Sequence, residues 1–136
     1  MAVNRGIFKE YDVRGKYPQE INAKVGYKIG LAFAKFLSLK NNSAVVGYDK
    51  RPTSPKLARA FISGLVDSGV NVIDIGVVTT PMLYFAVPFF KAKGGAMITA
   101  SHLKETSNGI KFTRRDAEPV GGGEIQKIYE LAKNKY

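Results

Sequence analysis

The chain has no cysteine and a single histidine, His102. Disulfides, cysteine-ligated zinc and a thiol nucleophile are thereby excluded, as is any zinc site that needs several imidazoles. Carboxylates are present, so oxygen ligation of magnesium stays open. Long apolar runs are also missing. The longest, Met82 to Phe90, falls far short of the ~20 residues that span a bilayer. Met1 to Val13 holds no apolar core and no small-residue cleavage site, so no signal peptide is expected, and the expected compartment is the cytoplasm. Asn41-Asn42-Ser43 fits the glycosylation sequon but means little without a secretory route.

Acidic residues are in short supply: 11 Asp and Glu stand against 21 Lys and Arg, a net charge of +10. That balance favours an anionic partner, whether nucleic acid, an anionic membrane or a phosphorylated small molecule. The basic residues are scattered, with short pairs such as Lys50-Arg51 and Arg114-Arg115. Nucleic-acid binding prefers a clustered stripe, so nucleic acid is not an expected partner, and neither is a membrane.

At 136 residues the chain is one domain by length, able to bury roughly two thirds of its unfolded surface. It shows no internal repeat and no low-complexity segment. Ile7 to Val13 reads as extended, running into a turn at Arg14-Gly15-Lys16. Val25, Ile29, Ala32, Phe33 and Phe36 recur at helical spacing and predict a helix over Ile21 to Lys40, where Gly26 and Gly30 allow close packing. Ala44 to Tyr48 predicts a strand. Ser54-Pro55 predicts a helix start with Ser54 as N-cap, a buried stripe of Leu57, Phe61 and Leu65, and Gly69 as left-handed cap. Val70 to Ile75 predicts a strand. Thr79-Thr80-Pro81 opens a third helix that Pro88 kinks or ends, and Gly95 to Ala100 predicts a further strand.

This alternation predicts a three-layer α/β/α fold with a mainly parallel sheet of about four strands. Only Ser101 to Asn108 separates Ala100 from Gly109-Ile110-Lys111-Phe112. A parallel return needs a crossover of about a dozen residues. The last core strand, Gly109 to Thr113, is therefore expected to run antiparallel, which makes the sheet mixed. Gly121-Gly122-Gly123 forms a joint before a last helix, Glu124 to Lys133.

Ligands of such sheets gather beyond the carboxyl ends of the parallel strands. The segments leaving those ends are Asp49 to Ser54, Gly76 to Thr80 and Ser101 to Asn108. The last carries Ser101 beside the only histidine, immediately after Met97-Ile98-Thr99-Ala100, so a hydroxyl stands at a strand exit. A random Ser-His pair is most often a plain polar connection. A hydrolase dyad is a worse reading, because adjacent residues seldom orient as nucleophile and base and no third triad member is indicated.

Thr99-Ala100-Ser101-His102 followed by Asn108-Gly109-Ile110-Lys111-Phe112 resembles the active-site serine loop of the α-D-phosphohexomutases, the phosphomannomutase/phosphoglucomutase family. Three further segments resemble that family in the same order. They are Phe8-Lys9-Glu10-Tyr11-Asp12-Val13-Arg14-Gly15, then Val46-Gly47-Tyr48-Asp49-Lys50-Arg51-Pro52-Thr53-Ser54, then Gly64-Leu65, Gly69, Asp74, Gly76 and Thr80-Pro81. Each motif alone is weak; four in order and spacing cover nearly the whole chain. The resemblance implies that residues 1–136 correspond to the family's first domain, with its second to fourth domains absent.

The resemblance further implies a phosphoserine enzyme that interconverts hexose 1-phosphate and hexose 6-phosphate, with Ser101 as phosphoryl carrier. Arg14 and Lys111 match basic residues that bind the phosphate and assist catalysis, Lys111 with a share in proton transfer. His102 and Tyr11 would position groups around the phosphate. Magnesium would touch phosphorylated Ser101, its other ligands lying in the absent second domain. Without the resemblance, Arg14 and Lys111 read as solvated charges, and Asp49 and Arg51 as residues that tie down a loop.

Two departures from the family pattern stand out. Leu103-Lys104 replaces the Asn-Pro that pre-shapes the turn after Ser-His. No Asp-x-Asp pair occurs anywhere, so the family's magnesium loop has no counterpart here. The expected partners are accordingly a hexose phosphate and the missing mutase domains, supplied in trans or in a longer chain. The expected activity of the isolated chain is incomplete. The competing reading is a non-catalytic phosphate- or phosphosugar-binding scaffold that keeps the fold.

Overall fold

The computed structural model describes residues 2–134. Five strands form one sheet in the order β1-β5-β4-β2-β3. They are β1 (Val13–Lys16), β2 (Ser43–Tyr48), β3 (Asn71–Val77), β4 (Gly94–Ile98) and β5 (Ser107–Arg114). β2 pairs in parallel with both β3 and β4, whereas β5 lies antiparallel between β4 and β1. The mixed sheet with an antiparallel last strand therefore follows the length of its connection, as expected.

The helices are α1 (Ala23–Phe36), α2 (Ser54–Asp67), α3 (Thr80–Phe89) and α4 (Gly123–Ala132). Two cores make the layers. On one sheet face Val46, Ile98, Ile110 and Phe112 pack with Ile29 and Phe33 of α1, Leu57 and Phe61 of α2 and Ile125 and Ile128 of α4. Phe33, Phe61 and Phe112 form its aromatic centre, with ring centroids 4.8 to 6.4 Å apart. On the other face α3 brings Leu83, Ala86 and Val87 onto Val45 and Met97. The sandwich is lopsided, with three helices on one side and one on the other.

The glycines expected to permit close packing do so. A Cβ at Gly30 would lie 2.3 Å from the carbonyl oxygen of Phe61, and one at Gly64 would lie 2.3 Å from that of Tyr27. Here α1 and α2 touch backbone to backbone. Gly69 ends α2 at φ 81°, the left-handed conformation that a residue without Cβ adopts at no steric cost.

Three local expectations are corrected. Arg14-Gly15-Lys16 is strand, not turn, because β1 continues the sheet beyond β5 with Arg14 opposite Gly109 and Lys16 opposite Ser107. The sheet accordingly has five strands rather than about four. The extended stretch over Ile7 to Val13 is interrupted: a 3-10 turn over Arg5–Ile7 ends at its start, and residues 10–12 bend back so that the Lys9 amide donates to the Asp12 carbonyl at 2.8 Å. Ser54 is the first helical residue and not the cap; Thr53 holds the cap position, and the Ser54 hydroxyl is drawn to Asp49 instead.

Candidate functional site

The carboxyl ends of β2, β3 and β4 open on a cleft of about 700 Å³, lined among others by Asp49, Lys50, Val78, Thr79, Ser101 and His102. Its β3 wall is shaped by a bulge. Val46 pairs with Asp74 but Gly47 with Gly76, so Ile75 is the extra residue and Gly76 takes φ 73°. The Asp74 carboxylate fixes that bend by accepting from the Gly76 amide at 2.9 Å. Thr79 then precedes α3, with Pro81 in its first turn.

Ser101 leaves β4 in a left-handed conformation, φ 53°, which is uncommon for a residue with a Cβ. Its amide donates to the buried Thr99 hydroxyl at 3.0 Å, and its own side chain is exposed. Residues 101–107 then fold through two turns, closed by the Leu103 amide on the Ala100 carbonyl (3.1 Å) and the Ser107 amide on the Lys104 carbonyl (2.9 Å). Leu103 points outward, 42% exposed, so it does not drag the loop shut over the serine.

A polar network supports this loop from behind. Arg51 donates to the Asp49 carboxylate at 3.1 Å and to four loop carbonyls, those of Ser101, Leu103, Lys104 and Ser107. The other Asp49 oxygen accepts from the Arg51 amide at 3.1 Å and from the Ser54 hydroxyl at 2.5 Å. Fully buried Asn108 joins the start of β5 to α2 by donating to the Thr53 and Ser54 hydroxyls and accepting from the Gly109 amide. Asp49 and Arg51 thus tie down a loop.

The basic residues lie along the sheet. Val13 and Ile110 face the large core, so Arg14 and Lys111, each one residue on, face the opposite side. Lys111 sits across from Met97, itself part of the cleft lining. Arg14 sits across from Gly109, whose carbonyl accepts from the Thr99 amide. Arg14, Gly109 and Thr99 therefore share one cross-strand row, two residues short of Ser101. The row is tight, because a Cβ at Gly109 would lie 3.0 Å from Arg14 Cγ and 3.0 Å from the Thr99 oxygen. Arg14 Nε donates to buried Asp12 at 3.1 Å, which orients the guanidinium.

Of the residues singled out in the sequence, Ser101 and His102 line the cleft, and Arg14 and Lys111 stand on the adjoining sheet face. Tyr11 lies apart from the lining; it is exposed, with its ring over Gly121, where a Cβ would approach to 2.8 Å. Sequence reasoning passed over Lys50, which borders the cleft beside Ser101. Its signal was the Lys50-Arg51 pair at a strand exit, where one residue faces the cleft and the next is turned inward.

The donor set does not make a magnesium site. Among the described residues no group of three or more His, Asp or Glu could hold a metal ion. Glu105 of the serine loop is exposed, and Asp49 beside the loop is engaged by Arg51 and Ser54. No described helix is long and apolar enough to cross a membrane.

Residues 5–136 match the model of phosphoglucomutase/phosphomannomutase, alpha/beta/alpha domain I. A phosphomannomutase of Vibrio cholerae is 40% identical over 95% of this chain, which spans 29% of that relative. A phosphomannomutase of Klebsiella pneumoniae is 41% identical over 90% of this chain, which spans 80% of it. The crystal structure of a phosphoglucomutase/phosphomannomutase family protein from Burkholderia thailandensis superposes with a TM-score of 0.85 at 32% identity, over 96% of this chain and 30% of that one. With the family model covering residues 5–136 and a relative 41% identical over 80% of its own length, the chain belongs to the phosphoglucomutase/phosphomannomutase family, as its domain I.

Proposed function

We propose that Ser101 is the phosphoryl carrier of a phosphohexomutase that interconverts hexose 1-phosphate and hexose 6-phosphate, and that this domain works with the further domains of such an enzyme. The observation that carries the proposal is the exposed Ser101 hydroxyl. It is held in a left-handed turn at the end of β4, with a cleft on one side and a hydrogen-bonded support on the other.

In the proposed step the bond from Ser101 Oγ to phosphorus breaks while a sugar hydroxyl oxygen bonds to that phosphorus. The sugar hydroxyl gives up its proton as the Ser101 Oγ departs and takes one, and we give Lys111 a share in that proton transfer, so the serine ends as a hydroxyl. The resulting bisphosphate reorients, and its other phosphoryl group returns to Ser101. Such transfers depend on positioning and on charge stabilisation. A phosphoserine adds about −1.5 to −2 charges. Arg14 and Lys111, with Lys50 at the cleft edge, supply compensating cations, and His102 and Tyr11 are the proposed positioning groups. The metal ligands of the reaction would lie outside the described residues, and no step here is routed through them. We place the reaction in the cytoplasm, with a hexose phosphate as substrate.

The test is a chimera in which this chain replaces the matching segment of the Vibrio cholerae phosphomannomutase. Conversion of mannose 1-phosphate with magnesium should persist and should vanish with Ser101→Ala. The isolated chain should show no substantial turnover. A folded chimera that binds phosphosugar without turning it over would favour the scaffold reading instead.

A further inference from the structure

Arg51 sits beside the cleft at a strand exit, where a cation would ordinarily be read as a phosphate ligand. Its hydrogen bonds say otherwise. A guanidinium has five N–H donors in a fixed planar fork. Nε donates to Asp49 Oδ2 at 3.1 Å. One terminal nitrogen donates to the carbonyls of Lys104 (2.6 Å) and Ser107 (3.1 Å), and the other to those of Ser101 and Leu103, both at 2.8 Å. Five donors meet five acceptors, and the side chain is only 10% exposed. No N–H remains for a ligand.

The four carbonyls all belong to the loop that carries Ser101, and they lie 50 to 56 residues away in sequence. Local support of that loop is limited to two turn hydrogen bonds and the Thr99 hydroxyl on the Ser101 amide; Leu103-Lys104 is not a turn-forming pair, and Ser101 holds φ 53° without being glycine. A residue kept in a sparsely populated conformation persists only where its surroundings impose it. Here the imposing group is the guanidinium. It gathers four of the loop's carbonyls toward one point, while Ser101 stays exposed on the cleft. Asp49 neutralises its charge, and through Ser54 and Asn108 the same carboxylate ties the clamp to α2 and β5.

We infer that Arg51 is a positioning residue, a tertiary clamp that sets the conformation of the serine loop in place of local turn chemistry and does not itself bind phosphate. Its consequence for phosphoryl transfer rests on the function proposed above; the clamp itself does not.

Measurements on the wild-type protein and on one variant test it. In the wild type, nitrogen-15 NMR of the arginine side chains should show the Arg51 terminal protons as separate, slowly exchanging resonances, as expected for a locked guanidinium. A freely rotating, averaged signal overturns the clamp and needs no variant to fold. In Arg51→Lys, which keeps the charge but not the fork, amide hydrogen exchange over 101–107 should accelerate strongly while exchange in the α1 and α2 core is unchanged. In the Vibrio cholerae chimera, phosphoryl transfer from a hexose 1,6-bisphosphate to Ser101 should fall by ~100-fold, the scale of an ångström's misplacement. Affinity for inorganic phosphate should stay the same. A drop in phosphate affinity with loop exchange unchanged makes Arg51 a ligand and refutes the inference. If the wild-type chimera accepts no phosphoryl group yet loop exchange still depends on Arg51, the clamp stands and the carrier proposal falls.

Discussion

Gly109 joins the edge of the sheet to the candidate site, and Gly109→Ala perturbs both at once. The added Cβ would lie 2.1 Å from the Val13 carbonyl oxygen, against an ordinary carbon–oxygen contact of about 3.4 Å. One strand must retreat by about 1.3 Å. Arg14 Cγ, also on β1, is 3.0 Å from that position, and on the β4 side the Thr99 oxygen is already at 3.0 Å, so β5 cannot simply shift toward β4. The edge strand β1 gives way. Overpacking of this kind costs roughly 1–3 kcal/mol, offset by roughly 0.5–1 kcal/mol from removing a strand glycine. A net loss of about 1–2 kcal/mol should lower the thermal midpoint by roughly 3–8 °C for a domain of this size. The assay is urea unfolding paired with amide exchange of residues 13–16. Gly123→Ala is the control, since nothing lies within 4 Å of the new methyl at the start of α4, and it should be neutral or stabilising. Wild-type stability in Gly109→Ala, with the β1 amides still protected, would refute the packing argument and the placement of Arg14 that depends on it.

The helix crossing and an exposed tyrosine yield two further expectations. Gly30→Ala puts a methyl 2.3 Å from the Phe61 carbonyl oxygen and should destabilise by ~1–3 kcal/mol despite its better helix propensity, whereas the tightest contact of Gly26→Ala is a side-chain end, the Leu57 Cδ1 at 2.7 Å, and it should cost clearly less. Equal urea midpoints for the two would contradict the backbone contact. The Tyr27 hydroxyl donates to Asp67 at 2.6 Å, and that hydrogen bond, followed by burial and the carboxylate's charge, holds its pKa above the ordinary 10.0. A pKa raised on folding stabilises below the unfolded value and is lost as pH rises through the folded one. Stability should therefore decline above about pH 10, and Tyr27→Phe should lack that share of the decline.

The sequence spoke most clearly where physics is local. The antiparallel β5 was legible because eight residues cannot make a parallel crossover, and the close helix crossing because Gly26 and Gly30 interrupt an otherwise apolar stripe. Strand β1 was hidden: Val13-Arg14-Gly15-Lys16 has little alternation and a turn-like composition, and only pairing with β5 makes it strand. Ser54 shows the same override, its capping preference giving way to a carboxylate five residues earlier. The serine was legible from its place at a strand exit and from the motif around it. That Asp49 and Arg51 tie down a loop was legible too; that Arg51 reaches the serine loop was not, because its acceptors there are backbone carbonyls that carry no side-chain signature.

The central claim concerns one oxygen atom, Ser101 Oγ. Purified protein should be incubated with a hexose 1,6-bisphosphate and magnesium, in the Vibrio cholerae chimera so that the remaining domains are present, and analysed by intact mass and fragmentation. The account predicts the mass of one added phosphoryl group, located on Ser101, lost on addition of hexose monophosphate, and absent from Ser101→Ala. A folded chimera that stays unmodified, or that carries the group on another residue, would contradict it.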